Sequence, residues 1–175
     1  MQSETNQTRS PSWLRTILIG RKPRFTLVRI VVLVVVTVVI FKFILVPIRI
    51  GGPSMLPTYH ENNINFVNRL AYRWSEPKHG DVVAIRLAGE HMMYMKRIVA
   101  LPGEKIEFSG GRLLINGREV NEPYVKYECR WTFTPRTEPL GPDEYYVVGD
   151  NRSMRHTDHT QGVAARYRIV GKVVL

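Results

Sequence analysis

A chain of 175 residues has room for one domain with a real core plus a short extra element, and argues against two independent domains. The formal net charge of +10 raises nucleic acid as a partner, yet half of it sits in residues 1–29, where six basic groups (Arg9, Arg15, Arg21, Lys22, Arg24, Arg29) face one acid, Glu4, directly before an apolar run; that placement points to anionic membrane lipids instead. Cys129 is the single cysteine, which excludes an intramolecular disulfide, and His156 and His159 near Asp158 have no further ligand at a familiar metal spacing, so neither a metal nor a cofactor is expected.

Residues 1–24 read as a cytoplasmic basic tail, polar and aperiodic over the first fourteen positions. From Phe25 to Pro47 the chain is almost wholly apolar, and 23 residues of helix span about 34 Å against a hydrocarbon core of ~30 Å. Arg29 and Lys42 lie about 20 Å apart along such a helix, so each needs to snorkel only some 5 Å to reach headgroups. A buried strand is disfavoured by the length of the run. A cleaved signal peptide suits the basic start but lacks a small-x-small pair at the right place, so residues 25–47 read as a retained transmembrane anchor. The basic flank keeps the N-terminus cytoplasmic and sends residues 48–175 to the extracytoplasmic side of the cytoplasmic membrane. Ser54 then lies just outside the bilayer.

Beyond the anchor the pattern turns extended. Ile64–Asn68, Asp81–Leu87, Met92–Ala100, Lys105–Phe108, Leu113–Ile115, Tyr145–Val148 and Ile169–Leu175 are short runs rich in β-branched and aromatic residues. Ser109-Gly110-Gly111-Arg112 and Asn116-Gly117 are hairpin signals between them. The fold class expected is mainly β, an all-β barrel or folded sheet preceded by one transmembrane helix. Pro123 to Pro142, with Trp131 and Phe133 among polar residues, reads as an irregular excursion. Trp74, Trp131 and Phe133 suit either a membrane interface or core packing.

Ser54 stands between Pro53 and Pro57 and after Gly51 and Gly52, in a restricted non-helical turn. It is either a plain turn serine or a nucleophile, and a nucleophile needs a base. Lys96 is the candidate: Met92, Met93, Tyr94, Met95, Ile98 and Val99 surround one ammonium group with apolar bulk, and burial is what makes a lysine neutral enough to act as a base. A solvated strand lysine is the alternative.

Four blocks in this order carry a family resemblance: Ser54-Met55-Leu56-Pro57-Thr58, Gly80-Asp81-Val82-Val83, Tyr94 through Glu104 and Val148-Gly149-Asp150-Asn151-Arg152. Together they resemble the type I signal peptidases over residues 25 to 175. The resemblance implies a membrane-anchored Ser-Lys endopeptidase that removes signal peptides from exported preproteins, with Ser54 as nucleophile and Lys96 as general base. It also implies an oxyanion site in the turn Gly52-Pro53-Ser54, where Gly52 replaces a serine found in some members. Substrate would pair with the strand from Asp81 through Val82 and Val83, and meet Met55, Pro57 and Tyr94. Asp150, Asn151, Arg152, Ser153 and Thr157 would stand behind the dyad, Asp150 and Arg152 as an ion pair. Arg155, Thr157 and His159 occupy positions where the family usually has serine, aspartate and arginine. That serine is held to hydrogen-bond the lysine, so Ser153 or Thr157 becomes the expected hydroxyl, while Arg155 either points away or depresses the lysine pKa. The altered block leaves two other functions open: a dedicated processing peptidase of a conjugation or pilin system, and an inactive anchored binding domain.

Overall fold

The structure is a computed structural model and describes residues 23–86, 93–159 and 162–174. Most of the basic tail, and Leu87, Met92 and Leu175 at the ends of expected strands, lie outside the described residues. The chain divides into two compact units, Met1–Lys42 and Phe43–Leu175.

In the first unit, helix α1 (Pro23–Val39) starts on a proline, whose missing N–H costs nothing at a helix start. Its interior has no polar stripe, and its apolar side chains are exposed all round, as in a helix meant for lipid. Continued through a π-helical turn at Ile40–Ile44, the segment Phe25–Ile44 is long and apolar enough to cross a membrane. The helix stops short of the expected Pro47. Leu45, Val46 and Pro47 instead open strand β1 (Leu45–Arg49), in register with β2 (Ile64–Asn68) from Leu45↔Asn68 to Arg49↔Ile64. An apolar run looks the same to a lipid helix and a core strand, and only the partner strand separates them. Pro47 is tolerated because β1 is an edge.

The second unit is built on a seven-stranded antiparallel sheet in the order β1-β2-β10-β3-β4-β8-β9. Its other strands are β2 (Ile64–Asn68), β3 (Val82–Arg86), β4 (Met93–Ala100), β8 (Glu144–Val148), β9 (Gly162–Ala165) and β10 (Ile169–Val174). A smaller sheet holds β5 (Ile106–Ser109), β6 (Arg112–Ile115) and the two-residue β7 (Arg118–Glu119). Both hairpin signals form turns with left-handed backbone, Gly110 and Gly111 at φ 55° and 81°, Asn116 and Gly117 at 52° and 76°. Gly111 is required twice over, since a Cβ there would lie 2.0 Å from the Cys129 carbonyl oxygen.

Alternation along β3 splits its side chains between two cores. Val82 and Ala84 pack with Met55, Tyr59, Val67 and Met95 beneath the Ser54 turn, while Val83 and Ile85 pack with Ile98, Tyr145, Val147 and Ile169. A third core joins the small sheet to β4 and β8 through Phe108, Leu113, Trp131 and Val148. Trp131 is buried and meets Phe108 edge-on at 5.4 Å, and Phe133 stacks on Phe108 at 5.1 Å, so the irregular segment from 123 to 142 is anchored by aromatic packing. Trp74 alone of the three aromatics is open to solvent, at 84% exposure.

Candidate active site

The Ser54 turn is short and backbone-defined. Gly52 takes φ 88°, a left-handed value that suits glycine, and Pro53–Met55 then form one 3-10 turn. Met55 is driven into the core below, at 1% exposure, which fixes the turn against the sheet and leaves Ser54 half-buried above it. The neighbouring block grips the same turn from the side. Asn151 donates its backbone N–H to the Ser54 carbonyl at 3.0 Å and its side-chain Nδ2 to the Pro53 carbonyl at 3.1 Å. Ser153 Oγ donates to Asn151 Oδ1 at 2.6 Å and so holds that amide in orientation. Gly149 is needed for the approach: a Cβ there would lie 2.1 Å from the Ser54 carbonyl oxygen.

Lys96 arrives on β4, between β3 and the start of the β8 pairing. Its side chain is 3% exposed, and Nζ lies 2.7 Å from Ser54 Oγ. Burial lowers its pKa from 10.5 to about 8, with the Asp150 carboxylate opposing part of that shift. The acid limb of any reaction needing neutral Lys96 is therefore expected near pH 8. A profile of kcat/KM against pH checks this, and a limb near 10.5 would contradict it.

The next residue, Arg97, points to the opposite face of the strand. It binds Asp150 bidentately, Nε to Oδ1 at 2.7 Å and Nη2 to Oδ2 at 2.6 Å, and lies 4.0 Å over the Tyr124 ring. Asp150 is fully buried and also accepts Thr58 Oγ1 at 2.6 Å, so one carboxylate ties β4 to the segment following Ser54. The expected Asp150–Arg152 pair does not form. Arg152 instead reaches Glu122, at 2.6 and 3.1 Å, because the turn after Asp150 carries it toward the irregular segment while Arg97 already fills the carboxylate's geometry. Arg97 and Thr58 lie within the blocks that carry the resemblance but had no role read for them from sequence, and Glu122 lies outside every block.

The hydroxyls expected for Lys96 are used elsewhere. Ser153 serves Asn151, and Thr157 Oγ1 donates to Asp158 Oδ1 at 3.2 Å. Arg155 points outward, 82% exposed, and pairs with Asp158 at 3.0 Å. His159 turns inward to 6% exposure, with Nε2 2.8 Å from the Asn151 carbonyl and its ring edge-on to Trp131 at 5.0 Å.

A cleft of about 400 Å³ opens on the pair, lined by residues of β1 and the segment after it (Ile48, Ile50, Gly51), by Met93, Tyr94 and Met95 of β4, and by Ser54, Met55 and Lys96. Of the residues expected to meet substrate, Met55 and Tyr94 line this cleft. Pro57, Asp81, Val82 and Val83 do not. Strand β3 is paired with β10 on one side and β4 on the other, so it has no free edge for an added chain. Val82 and Val83 are core, and Asp81 holds a corner with Lys172 Nζ at 2.6 Å and the Tyr72 hydroxyl at 2.9 Å. Among the described residues, the free edges at the cleft belong to β1 and to Met93–Lys96, since β8 pairs with β4 only from Arg97 onward. No group of three or more His, Cys, Asp or Glu that could hold a metal occurs among the described residues.

The family described as signal peptidase, peptidase S26, matches residues 24–175 of this sequence. The chain belongs to that family. Signal peptidase I of Bacillus amyloliquefaciens is 37% identical over 131 residues, 70% of either chain. Signal peptidase I S of Bacillus subtilis strain 168 is 37% identical over 132 residues, 70% of this chain and 71% of its own. Signal peptidase IB of Staphylococcus aureus is 30% identical over 163 residues, 84% of this chain and 85% of its own. Among solved structures, a signal peptidase I from Enterococcus faecalis V583 matches with a TM-score of 0.49 at 23% identity, covering 57% of this chain and 98% of that one. As a signal peptidase family member, the chain is a peptidase whose described segment ahead of the β-unit is a candidate membrane span.

Proposed function

We propose that this chain is a membrane-anchored serine endopeptidase that removes N-terminal signal peptides from exported preproteins, with Ser54 as nucleophile and Lys96 as general base. The observation that carries the reading is the 2.7 Å approach of a buried lysine nitrogen to the Ser54 hydroxyl. With Lys96 neutral, Oγ–H donates to Nζ. Oγ attacks the scissile carbonyl as Nζ takes the proton, and the resulting ammonium returns a proton to the leaving amine. Neutral Lys96 then activates a water that releases the acyl group. The Ser54 N–H makes no internal hydrogen bond among the described residues, as expected early in a single helical turn, and is a free donor for the oxyanion.

Substrate enters as an extended strand between the edge of β1 and Met93–Lys96, its small side chains facing the apolar walls of the cleft. The basic residues before the span hold the N-terminus in the cytoplasm, against anionic lipid, and the β-unit works on the other side of the cytoplasmic membrane. Reconstituted full-length protein is expected to cut an exported precursor after a small-x-small site, and a serine-reactive acylating inhibitor is expected to label Ser54. Ser54→Ala should lose both label and cleavage. Cleavage surviving in that variant would remove the serine from the mechanism.

A further inference from the structure

His159 holds a buried acceptor that the fold leaves unused. The Asn151 carbonyl can only accept, so His159 Nε2 carries the proton of their 2.8 Å bond, and Nδ1 is left with a bare lone pair. Nδ1 is buried and has no partner. The ring stands beside the Ser54 turn: a Cβ built on Gly149 would lie 2.1 Å from the Ser54 carbonyl oxygen and 3.1 Å from His159 Cε1, the carbon between the two ring nitrogens. Lys96 has the complementary surplus. An ammonium has three N–H donors and an amine two; Ser54 Oγ takes one position at Nζ, and no second protein acceptor reaches it among the described residues. The two groups share a field. Burial first, and the Lys96 charge next, lower the His159 pKa to about 4, so the ring is neutral wherever Lys96 works.

We infer that His159 is a positioning residue for Lys96, its Nδ1 lone pair receiving a Lys96 N–H through one bridging water and so turning the amine lone pair toward Ser54. Spare donor and spare acceptor, both buried, then satisfy one another. The inference rests on the reading of Ser54 and Lys96 as nucleophile and base. Two substitutions separate the functions of the two ring nitrogens. His159→Gln keeps a donor toward Asn151 but offers nothing at the Nδ1 position. His159→Asn places an acceptor at that position and gives up the Asn151 bond.

The experiment is steady-state cleavage of a signal-peptide substrate by the full chain in detergent micelles, with Lys96→Ala measured alongside. His159→Gln is expected to lower kcat by about tenfold to a hundredfold with KM unchanged, and His159→Asn to retain several-fold more activity than the glutamine variant. Equal activity in the two variants, or more in the glutamine variant, overturns the assignment. Cleavage surviving in Lys96→Ala overturns the base itself, a separate failure. Should either histidine variant unfold, protein with 15N-labelled histidine gives a readout that keeps His159. Lys96→Met removes the donors, and the His159 Nδ1 resonance should move toward that of an unbonded imine nitrogen. An unmoved resonance overturns the inference.

Discussion

Lys96→Met is expected to abolish cleavage and at the same time to make the protein more stable. Loss of a general base costs about 10²–10⁴-fold in rate, and methionine cannot take a proton from Ser54. The stability change has the opposite sign. Lys96 titrates at about 8 in the folded state and near 10.5 when unfolded, a gap worth about 3 kcal/mol. Because the folded value is the lower one, the unfolded chain binds more protons between those two values. The penalty is therefore fully present below pH 8 and is relieved as pH rises toward 10.5. Methionine fills the same buried volume without that penalty. Thermal unfolding at pH 7 should show a higher midpoint for the variant, and its excess over wild type should shrink between pH 8 and 10.5. A variant that is inactive because it is unfolded would contradict this account.

Asp150→Ala is expected to have the largest destabilising effect. The carboxylate is fully buried, and its removal leaves Arg97, a residue 9% exposed, with a buried charge and no carboxylate. Breaking such a pair costs about 3–5 kcal/mol, on the order of 10–20 °C in midpoint for a unit of this size. The active site should register the loss independently. Asp150 holds the Lys96 pKa up, so whatever activity remains at low temperature should have its acid limb moved below pH 8. Circular dichroism melts and pH profiles on one preparation test both parts. An unshifted limb would mean that the carboxylate acts on fold alone.

Much of the architecture was legible because it is local. The run from Phe25 needed no partner to be read as a membrane span, and Gly110-Gly111 and Asn116-Gly117 announce turns through backbone requirements of single residues. Strands β2 and β8 were visible as β-branched and aromatic runs. Strand β7, two polar residues, and β9, made of Gly162 and small side chains, carry no such pattern and exist because β6 and β8 offer edges to them. At the site, Ser54 and Lys96 stood out by their settings. His159 did not, since a histidine in a polar loop gives no sign of which way it turns.

The sequence by itself determined the class of the protein: one apolar span, a mainly β unit after it, a serine in a proline-glycine turn and a lysine in an apolar strand. What only the tertiary structure decided are the pairings that cross the chain. Lys96 meets Ser54 over 42 positions, Arg97 takes Asp150 over 53, and Thr58 reaches the same carboxylate over 92. Nothing in composition distinguishes Arg97 from Arg152 as the partner of Asp150, or β3 from β1 as the strand with an open edge. Those choices follow from strand order and register, because a strand enclosed on both sides has spent its backbone donors and acceptors, and alternation along β4 sends Lys96 to one face and Arg97 to the other.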